Sequence, residues 1–288
     1  MNVLITGSSG YIGRNLTEQL SSKYNLYTPS HKELDLLNET LVLEYFKNHK
    51  IDIVINTAVV GGSREEEYMN KMFYDNLRMF FNLVRNKKYF KKMIHLGSGA
   101  EYDKRFPIKK VKEEDFDKRV PADDYGYYKY LCSKYIEKAD NIVNLRVFGL
   151  YGKYENYRYR FISNAICRNI FGFPITLNQD VYFDYVYIND FVRIVDYFIS
   201  NDAGYKSYNI GIGKPINLIT IAKKINKIAE KKSEIIVKYP GFNKEYTCDN
   251  TRLMKEIKKL VLTDIDNAIS ELYKWYGSQR DKLKKECL

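Results

Sequence analysis

The first thirteen residues constrain this chain more than any other stretch. Val3–Thr6 is a short apolar strand, and TGSSGYIGRN then leads into the helical spacing of Tyr11–Leu20. Gly7, Gly10 and Gly13 fall three apart in this passage. Glycine admits the tight turn by which a strand feeds directly into a helix. That turn aims the first helical amides and the positive end of the helix dipole at one spot, where a pyrophosphate binds. Glycine turns are common, so the triplet alone is weak evidence. In a strand–loop–helix setting it marks a dinucleotide site. Gly7, Ser8, Ser9, Gly10, Tyr11, Ile12, Gly13 and Arg14 are the expected cofactor loop.

The strand–helix alternation continues beyond the loop. Strands are expected at Asn25–Thr28, Ile51–Ala58, Met93–Ser98 and Ile142–Gly149. Helices are expected at Leu41–Asn48, Tyr74–Asn86 and Tyr127–Ala139. Strands separated by helices of this length predict βαβ units with right-handed crossovers. The fold class is therefore α/β, a Rossmann-type doubly wound parallel sheet. After Gly152 the pattern turns polar and aromatic. A strand follows at Asp184–Ile188 and a helix at Asp190–Ile199, and the tail from Ile216 is mainly helical with a strand at Ile235–Lys238. At 288 residues the chain suits a nucleotide-binding domain with a smaller partner. The expected division is 1–152 plus 176–203 for the Rossmann domain, and 153–175 plus 204–288 for a substrate-binding α/β lobe.

The end of the second strand bears on cofactor choice. NAD sites usually place an acid there to hold the ribose 2′-hydroxyl. This chain has Thr28-Pro29-Ser30-His31-Lys32, with no acid before Glu33. A 2′-phosphate suits Ser30, His31, Lys32 and Arg14 better, so NADP(H) is expected. The competing reading of Lys32 is an ordinary surface cation.

Tyr125 and Lys129 stand four apart in YGYYK, which on a helix puts them on one face. A phenol with an ordinary pKa near 10 is a poor acid–base catalyst at neutral pH, and a neighbouring ammonium favours its ionised form. With 27 tyrosines in the chain, that spacing alone proves little. Ser98 adds the needed third member. It ends a central strand in LGSGAEY, and ligands of open α/β sheets sit at those carboxyl ends. Ser98, Tyr125 and Lys129 are the expected catalytic residues, converging on one carbonyl. Tyr127, Tyr128 and Tyr130 read as packing or surface residues.

Other functions are disfavoured. Cys132, Cys167, Cys248 and Cys287 lie far apart without CxxC spacing, and only three histidines are present, so no metal site or disulfide framework is expected. The net charge of +11 raises nucleic acid as a partner. From Gly204 onward there are 18 Lys and Arg against 10 Asp and Glu, scattered along helical patterns such as IAKKINKIAEKK. A solvated basic face explains that better, so no nucleic acid is expected. No apolar run is long enough for a membrane span and the first residues do not read as a signal peptide, so a cytoplasmic protein without membrane association is expected.

With the loop, Ser98 and YGYYK identified, the chain resembles the extended short-chain dehydrogenase/reductases, a family of nucleotide-sugar enzymes. The resemblance runs nearly full length through TGSSGYIG, Ala58, Asn76, Ser98, YGYYK, LRVFGLYG, FDYVYINDF and YNIGIGKPI. Val60-Gly61-Gly62 and LGSGAEY are most similar to its GDP-L-fucose synthase branch. The resemblance implies a nucleotide-sugar substrate, GDP-linked, and a homodimer through a four-helix interface. It implies cofactor contacts from His31, Lys32, Asp35, Leu36, Ala58, Val59, Asn76, Tyr125, Lys129 and Phe148, with Asp35 and Leu36 beside the adenine. Val60, Gly61, Ser98, Gly99 and Ala100 are the expected substrate contacts, and Lys153, Arg158 and Arg160 are candidates for diphosphate or sugar contacts, with ordinary surface cations as the competing reading.

The departures from the branch narrow the chemistry. Two positions after the serine, where that branch keeps a cysteine for C3/C5 epimerisation, stands Ala100. Its partner histidine aligns with Arg160, and no histidine follows His95. A family arginine at the head of FDYVYIND is Phe183. Dehydratases of the family carry Asp-Glu directly after the catalytic hydroxyl, where this chain has Gly99 and Ala100. Glu101 comes one position late, which on a strand would face it the other way, and it reads as a salt-bridged or surface residue. The leading expectation is a reductase of a nucleotide-linked 4-keto-6-deoxy hexose or heptose, acting at C4 without epimerising. The alternatives are a C4 epimerase with tightly bound NAD, or a catalytically idle NADP-binding protein.

Overall fold

The computed structural model describes residues 1–61 and 71–288, and Gly62 of the triplet noted above lies outside the described residues. In chain order the strands and helices are β1 (Asn2–Thr6), α1 (Tyr11–Leu20), β2 (Asn25–Tyr27), α2 (Glu39–Asn48), β3 (Ile53–Asn56), α3 (Met72–Val84), β4 (Lys92–Ser98) and β5 (Ile108–Val111). Then come α4 (Asp124–Ile136), β6 (Ile142–Val147), β7 (Gly149–Tyr151), α5 (Phe161–Ile170), β8 (Ile175–Leu177), β9 (Tyr182–Phe183), β10 (Tyr185–Tyr187) and α6 (Ile188–Ser200). The chain closes with β11 (Ser207–Ile210), β12 (Ile216–Asn217), α7 (Leu218–Ile228), β13 (Ile235–Val237), β14 (Tyr246–Cys248), α8 (Thr251–Glu256) and α9 (Ile265–Ser278).

Six strands form the central sheet in the order β11-β6-β4-β3-β1-β2, every pair parallel. Both faces are buried, which explains why these strands read as continuous apolar runs rather than alternating ones. The period of two still sorts their side chains. Val3, Ile5, Ile53, Ile55, Ile94, Leu96, Val143 and Leu145 enter one core. Leu4, Val54, Met93 and Ile142 enter the other, beneath α2, α3 and α4. The first core also takes in Ile162 and Ile166 of α5, Ile221 of α7 and Leu272 of α9. The later third of the chain thus packs continuously with the sheet rather than standing apart from it.

That continuity corrects the expected division. Ser207–Ile210, assigned to the smaller lobe, pairs with β6 as the sixth strand of the main sheet. Conversely, β5 and β9, assigned to the Rossmann domain, join β12 and β14 in a separate four-stranded sheet, and β8 pairs with β13. Short strands with polar flanks carry little periodic signal, and only pairing reveals their side of the boundary. The helix α6 does pack on the main sheet side, where Lys23 and Tyr24 reach Asp196 at 2.5 and 2.7 Å. Among the described residues no helix is long and apolar enough to cross a membrane, and no cluster of His, Cys, Asp and Glu could hold a metal ion.

Candidate active site

The N-terminal turn is built as a cradle. Gly7 has φ +66°, which a side chain rarely adopts, and a Cβ there would meet the Ala58 backbone at 2.8 Å. A Cβ on Gly13 would lie 2.3 Å from the Gly7 carbonyl oxygen. Gly10 caps α1 and donates to that same carbonyl at 3.0 Å. Only glycines let strand, loop and helix approach so closely, leaving the start of α1 open to a phosphate group. Ser8 Oγ donates to the Thr28 carbonyl at 3.4 Å, which brings the end of β2 beside the loop. His31 and Lys32 are exposed there, with His31 3.5 Å from Asp35. Asp35 also accepts from the Leu37 amide, and the Leu36 carbonyl accepts from Asn82.

Several expected cofactor residues have other partners. Arg14 stacks its guanidinium over the Tyr154 ring, 3.7 Å from the centroid, rather than extending toward His31 and Lys32. Tyr11 buries its hydroxyl beside Gly152, near Glu155 and Tyr276, without a hydrogen-bond partner among the described residues. Asn76 clamps the backbone after β3: its Oδ1 accepts from the Val60 amide at 3.0 Å and its Nδ2 donates to the Val60 carbonyl at 2.7 Å. Asn76 therefore fixes where Val59, Val60 and Gly61 (φ +76°) run. Ala58 packs on Gly7 from the same segment.

Ser98 ends β4 and caps a short 3-10 turn, Gly99–Tyr102, so the residues after it are not on a strand as expected. Its Oγ accepts from the Ala100 amide at 3.2 Å, and its own amide donates to Glu101 Oε1 at 2.9 Å. Glu101 is wholly buried. Its Oε2 accepts from Arg146 Nε at 2.6 Å and from Ser133 Oγ at 2.5 Å. The salt-bridged reading of Glu101 holds, and the bridge lies directly beneath the serine.

The helix α4 starts at Asp124, three residues earlier than expected, so Tyr125 and Lys129 both lie in it. Asp123 caps it by accepting from the Gly126 amide at 2.9 Å. Gly126 lets the helix press on the Ser98 turn, since a Cβ there would meet the Ala100 carbonyl at 2.9 Å. Lys129 is buried, and its ammonium donates to the Leu96 carbonyl of β4. Burial, with help from the Lys129 charge, holds the neighbouring His95 well below the usual imidazole range and therefore neutral. Its Nδ1 faces Asn56 Nδ2 at 3.2 Å.

One member of the site had no signal in the sequence pattern. Tyr246 of β14, contributed by the other sheet, places its hydroxyl beside the turn that follows Ser98. A Cβ on Gly99 would sit 2.6 Å from that hydroxyl and 2.8 Å from the Phe148 ring. Tyr246 packs on Phe148 and Phe183, with centroids 5.1 and 5.8 Å apart. The space that a side chain at 99 would fill is thus occupied, and Ala100 is only 2% exposed.

Of the expected substrate residues, Lys153 is anchored beside the loop because its carbonyl accepts from Asn15 Nδ2 of α1 at 2.9 Å. Arg160 is exposed at the head of α5, with its charge reaching Tyr11, Glu155 and Tyr185. Arg158 neighbours Tyr157, Tyr159 and Cys287, which are not the neighbours of Ser98.

Glu155 is buried under this corner and accepts from Ser163 Oγ. Burial pushes its carboxyl up to about 8, against weaker opposing effects of Ser163 and Arg160. A raised carboxyl stabilises the fold below its unfolded value and loses that contribution as pH climbs through its folded value. Glu155→Gln should therefore flatten the decline in melting temperature between about pH 4.5 and about 8. The variant should be the more stable protein at the alkaline end. Parallel melting curves for the two proteins would refute this account of Glu155.

A glycine-cradled Rossmann turn, with a serine at a strand end and a tyrosine–lysine helix beside it, defines a nucleotide-dependent enzyme class. The chain belongs to the NAD dependent epimerase/dehydratase family, whose sequence profile matches residues 3–211. It is 25% identical over 308 residues to GDP-L-colitose synthase of Yersinia pseudotuberculosis, covering 98% of this chain and 99% of that one. Among solved structures it is similar to GDP-mannoheptose C4 reductase from Campylobacter jejuni with NADP bound. That likeness has a TM-score of 0.80 at 21% identity over 96% of this chain and 98% of the other. UDP-glucose 4-epimerase from Thermotoga maritima with UDP-glucose gives a TM-score of 0.82 at 19% identity, over 99% of this chain and 100% of that one. The two structural likenesses establish the shared fold.

Proposed function

We propose that this protein is an NADPH-dependent reductase acting at C4 of a nucleotide-linked 4-keto-6-deoxy sugar, GDP-linked by preference, without inverting C3 or C5. The observation that carries the reading is the composition of the space beside Ser98. Ala100 takes the place of a thiol, and the Phe148 ring and Tyr246 hydroxyl crowd the position of residue 99. Burial pushes the Tyr246 phenol far up, so it stays protonated and is no base for a sugar C–H. The names of the relatives, a GDP-L-colitose synthase and a GDP-mannoheptose C4 reductase, support the GDP-sugar substrate class.

The residues present suit the cofactor. At Gly7 and Gly13 a Cβ would strike neighbouring backbone, so the glycines keep the tight turn that leaves the start of α1 open to a pyrophosphate. His31 and Lys32 at the end of β2 suit a 2′-phosphate. When bound, NADPH supplies the hydride for C4. Tyr125 donates a proton to the C4 oxygen. Lys129, fixed on the Leu96 carbonyl, presents its positive charge one helical turn from Tyr125. Ser98 donates a hydrogen bond to the oxygen as negative charge develops on it.

The test is incubation of the protein with NADPH and a panel of GDP- and dTDP-linked 4-keto-6-deoxy sugars in D₂O, with the products resolved by NMR. The expected result is stoichiometric NADPH consumption with no deuterium at C3 or C5. Deuterium at either carbon overturns the claim that this chain only reduces. Turnover without net redox change favours a C4 epimerase instead.

A further inference from the structure

We propose that the floor of the site holds one buried water, which accepts a hydrogen bond from His95 of β4 and donates one to Asn144 of β6. Its place follows from a row of polar side chains that crosses the sheet under α4. Thr6, Asn56, His95 and Asn144 are register partners on the neighbouring strands β1, β3, β4 and β6. Each stands two residues beyond a member of the core beneath α2, α3 and α4, namely Leu4, Val54, Met93 and Ile142. The period of two therefore turns all four polar side chains to that face. All four are buried, and polar groups so placed are hydrogen-bonded.

The bonds run along the row in one direction. The Ala58 amide donates to Thr6 Oγ1 at 3.4 Å. Thr6 gives its one proton to Asn56 Oδ1 at 2.9 Å, nearer than the Ile55 carbonyl at 3.5 Å. The Asn56 amide then turns its Nδ2 to His95 Nδ1, 3.2 Å away. A ring nitrogen that accepts carries no proton, and this ring is neutral, so the His95 proton is on Nε2. On the far side, Asn144 Nδ2 donates to Ser133 Oγ, and Ser133 donates to Glu101 Oε2. Glu101 also accepts from the Ser98 amide and from Arg146. One donor, His95 Nε2, and one acceptor, Asn144 Oδ1, are left over, and neither has a hydrogen-bond partner among the described residues.

These two side chains stand on paired positions of adjacent strands. Asn144 Oδ1 leans over β4, since a Cβ on Gly97, the next residue of β4 on this face, would lie 2.3 Å from it. One water between them leaves neither atom orphaned. It joins the backbone that carries Ala58, packed on the glycine loop, to the Glu101–Arg146 pair under Ser98. The Lys129 ammonium is bound to the carbonyl of Leu96, the residue next to His95. A neutral ring fixed in one tautomer adds no second cation there. The water site stands whichever sugar the enzyme acts on.

The chain has three histidines, so ¹⁵N NMR of protein with labelled histidine rings can resolve them all. His31→Gln and His49→Gln identify the two outer rings and leave His95 by elimination. The expected His95 signals are those of a neutral ring protonated on Nε2. A proton on Nδ1 instead, or a charged ring at neutral pH, overturns the proposal. A crystal structure with ordered solvent should show a water within about 3.2 Å of both His95 Nε2 and Asn144 Oδ1. A direct bond between those atoms, or no water there, overturns it equally. His95→Phe keeps a ring but removes both nitrogens, and the melting temperature should fall by roughly 5–10 °C. His95→Gln offers Asn56 an acceptor and the water a donor, so it should recover most of that loss. Equal melting temperatures for wild type and His95→Phe, or for the two variants, refute the bridge.

Discussion

Tyr125→Phe should cut kcat by roughly 10²- to 10⁴-fold, the range for removing a positioned general acid. The two side chains differ by one hydroxyl. The edge contact of the ring with Tyr128, at 5.5 Å, and the Lys104 ammonium 5.8 Å above it do not depend on that hydroxyl. The cap of α4 at Asp123 and the Lys129 bond to the Leu96 carbonyl are likewise untouched. Melting temperature should therefore match wild type while turnover collapses. Single-turnover measurement of NADPH oxidation isolates the chemical step from product release. Undiminished turnover in the variant would remove Tyr125 from the mechanism.

Glu101→Gln should destabilise the fold by about 3–5 kcal/mol, the usual cost of removing one partner from a buried ion pair. Arg146 is 1% exposed and has no other carboxylate in contact among the described residues. The neutral amide would leave its guanidinium charged and uncompensated between the Phe116 and Tyr102 rings. The substitution also weakens the acceptor that holds the Ser98 amide, so activity should fall together with stability. Urea unfolding of wild type and variant measures the loss. Adding Arg146→Met should recover a large part of it, because a buried pair replaced on both sides costs far less than one broken on one side. A single variant within about 1 kcal/mol of wild type would show that the pair carries no such weight.

Much of the main sheet was readable beforehand because its strands are long, apolar and separated by helices with strong periodicity. The glycine loop was readable for a different reason: its residues are local in sequence, and each spacing is a direct consequence of backbone sterics. Helical spacing put Tyr125 and Lys129 on one helix and the apolar run put Ser98 at a strand end, which is where the structure has them. The features that were missed depend on contacts between distant segments. SYNI at Ser207–Ile210 is four residues long, and pairing with β6 makes it a strand. Tyr246 lies in KEYTCD, where nothing local sets one tyrosine apart from 26 others. Arg14 follows the cofactor loop directly, yet Tyr154 from beyond the sheet claims its guanidinium.

By itself the sequence determined the α/β class, the phosphate cradle and the absence of a thiol at residue 100, since each depends on residue type and spacing over short range. The tertiary structure decided what occupies the room beside Ser98. The Glu101–Arg146 pair locks the turn from below, and Phe148 with Tyr246 closes it from the side. Those partners come from three separate segments, and only the folded packing gathers them around the turn of a single serine.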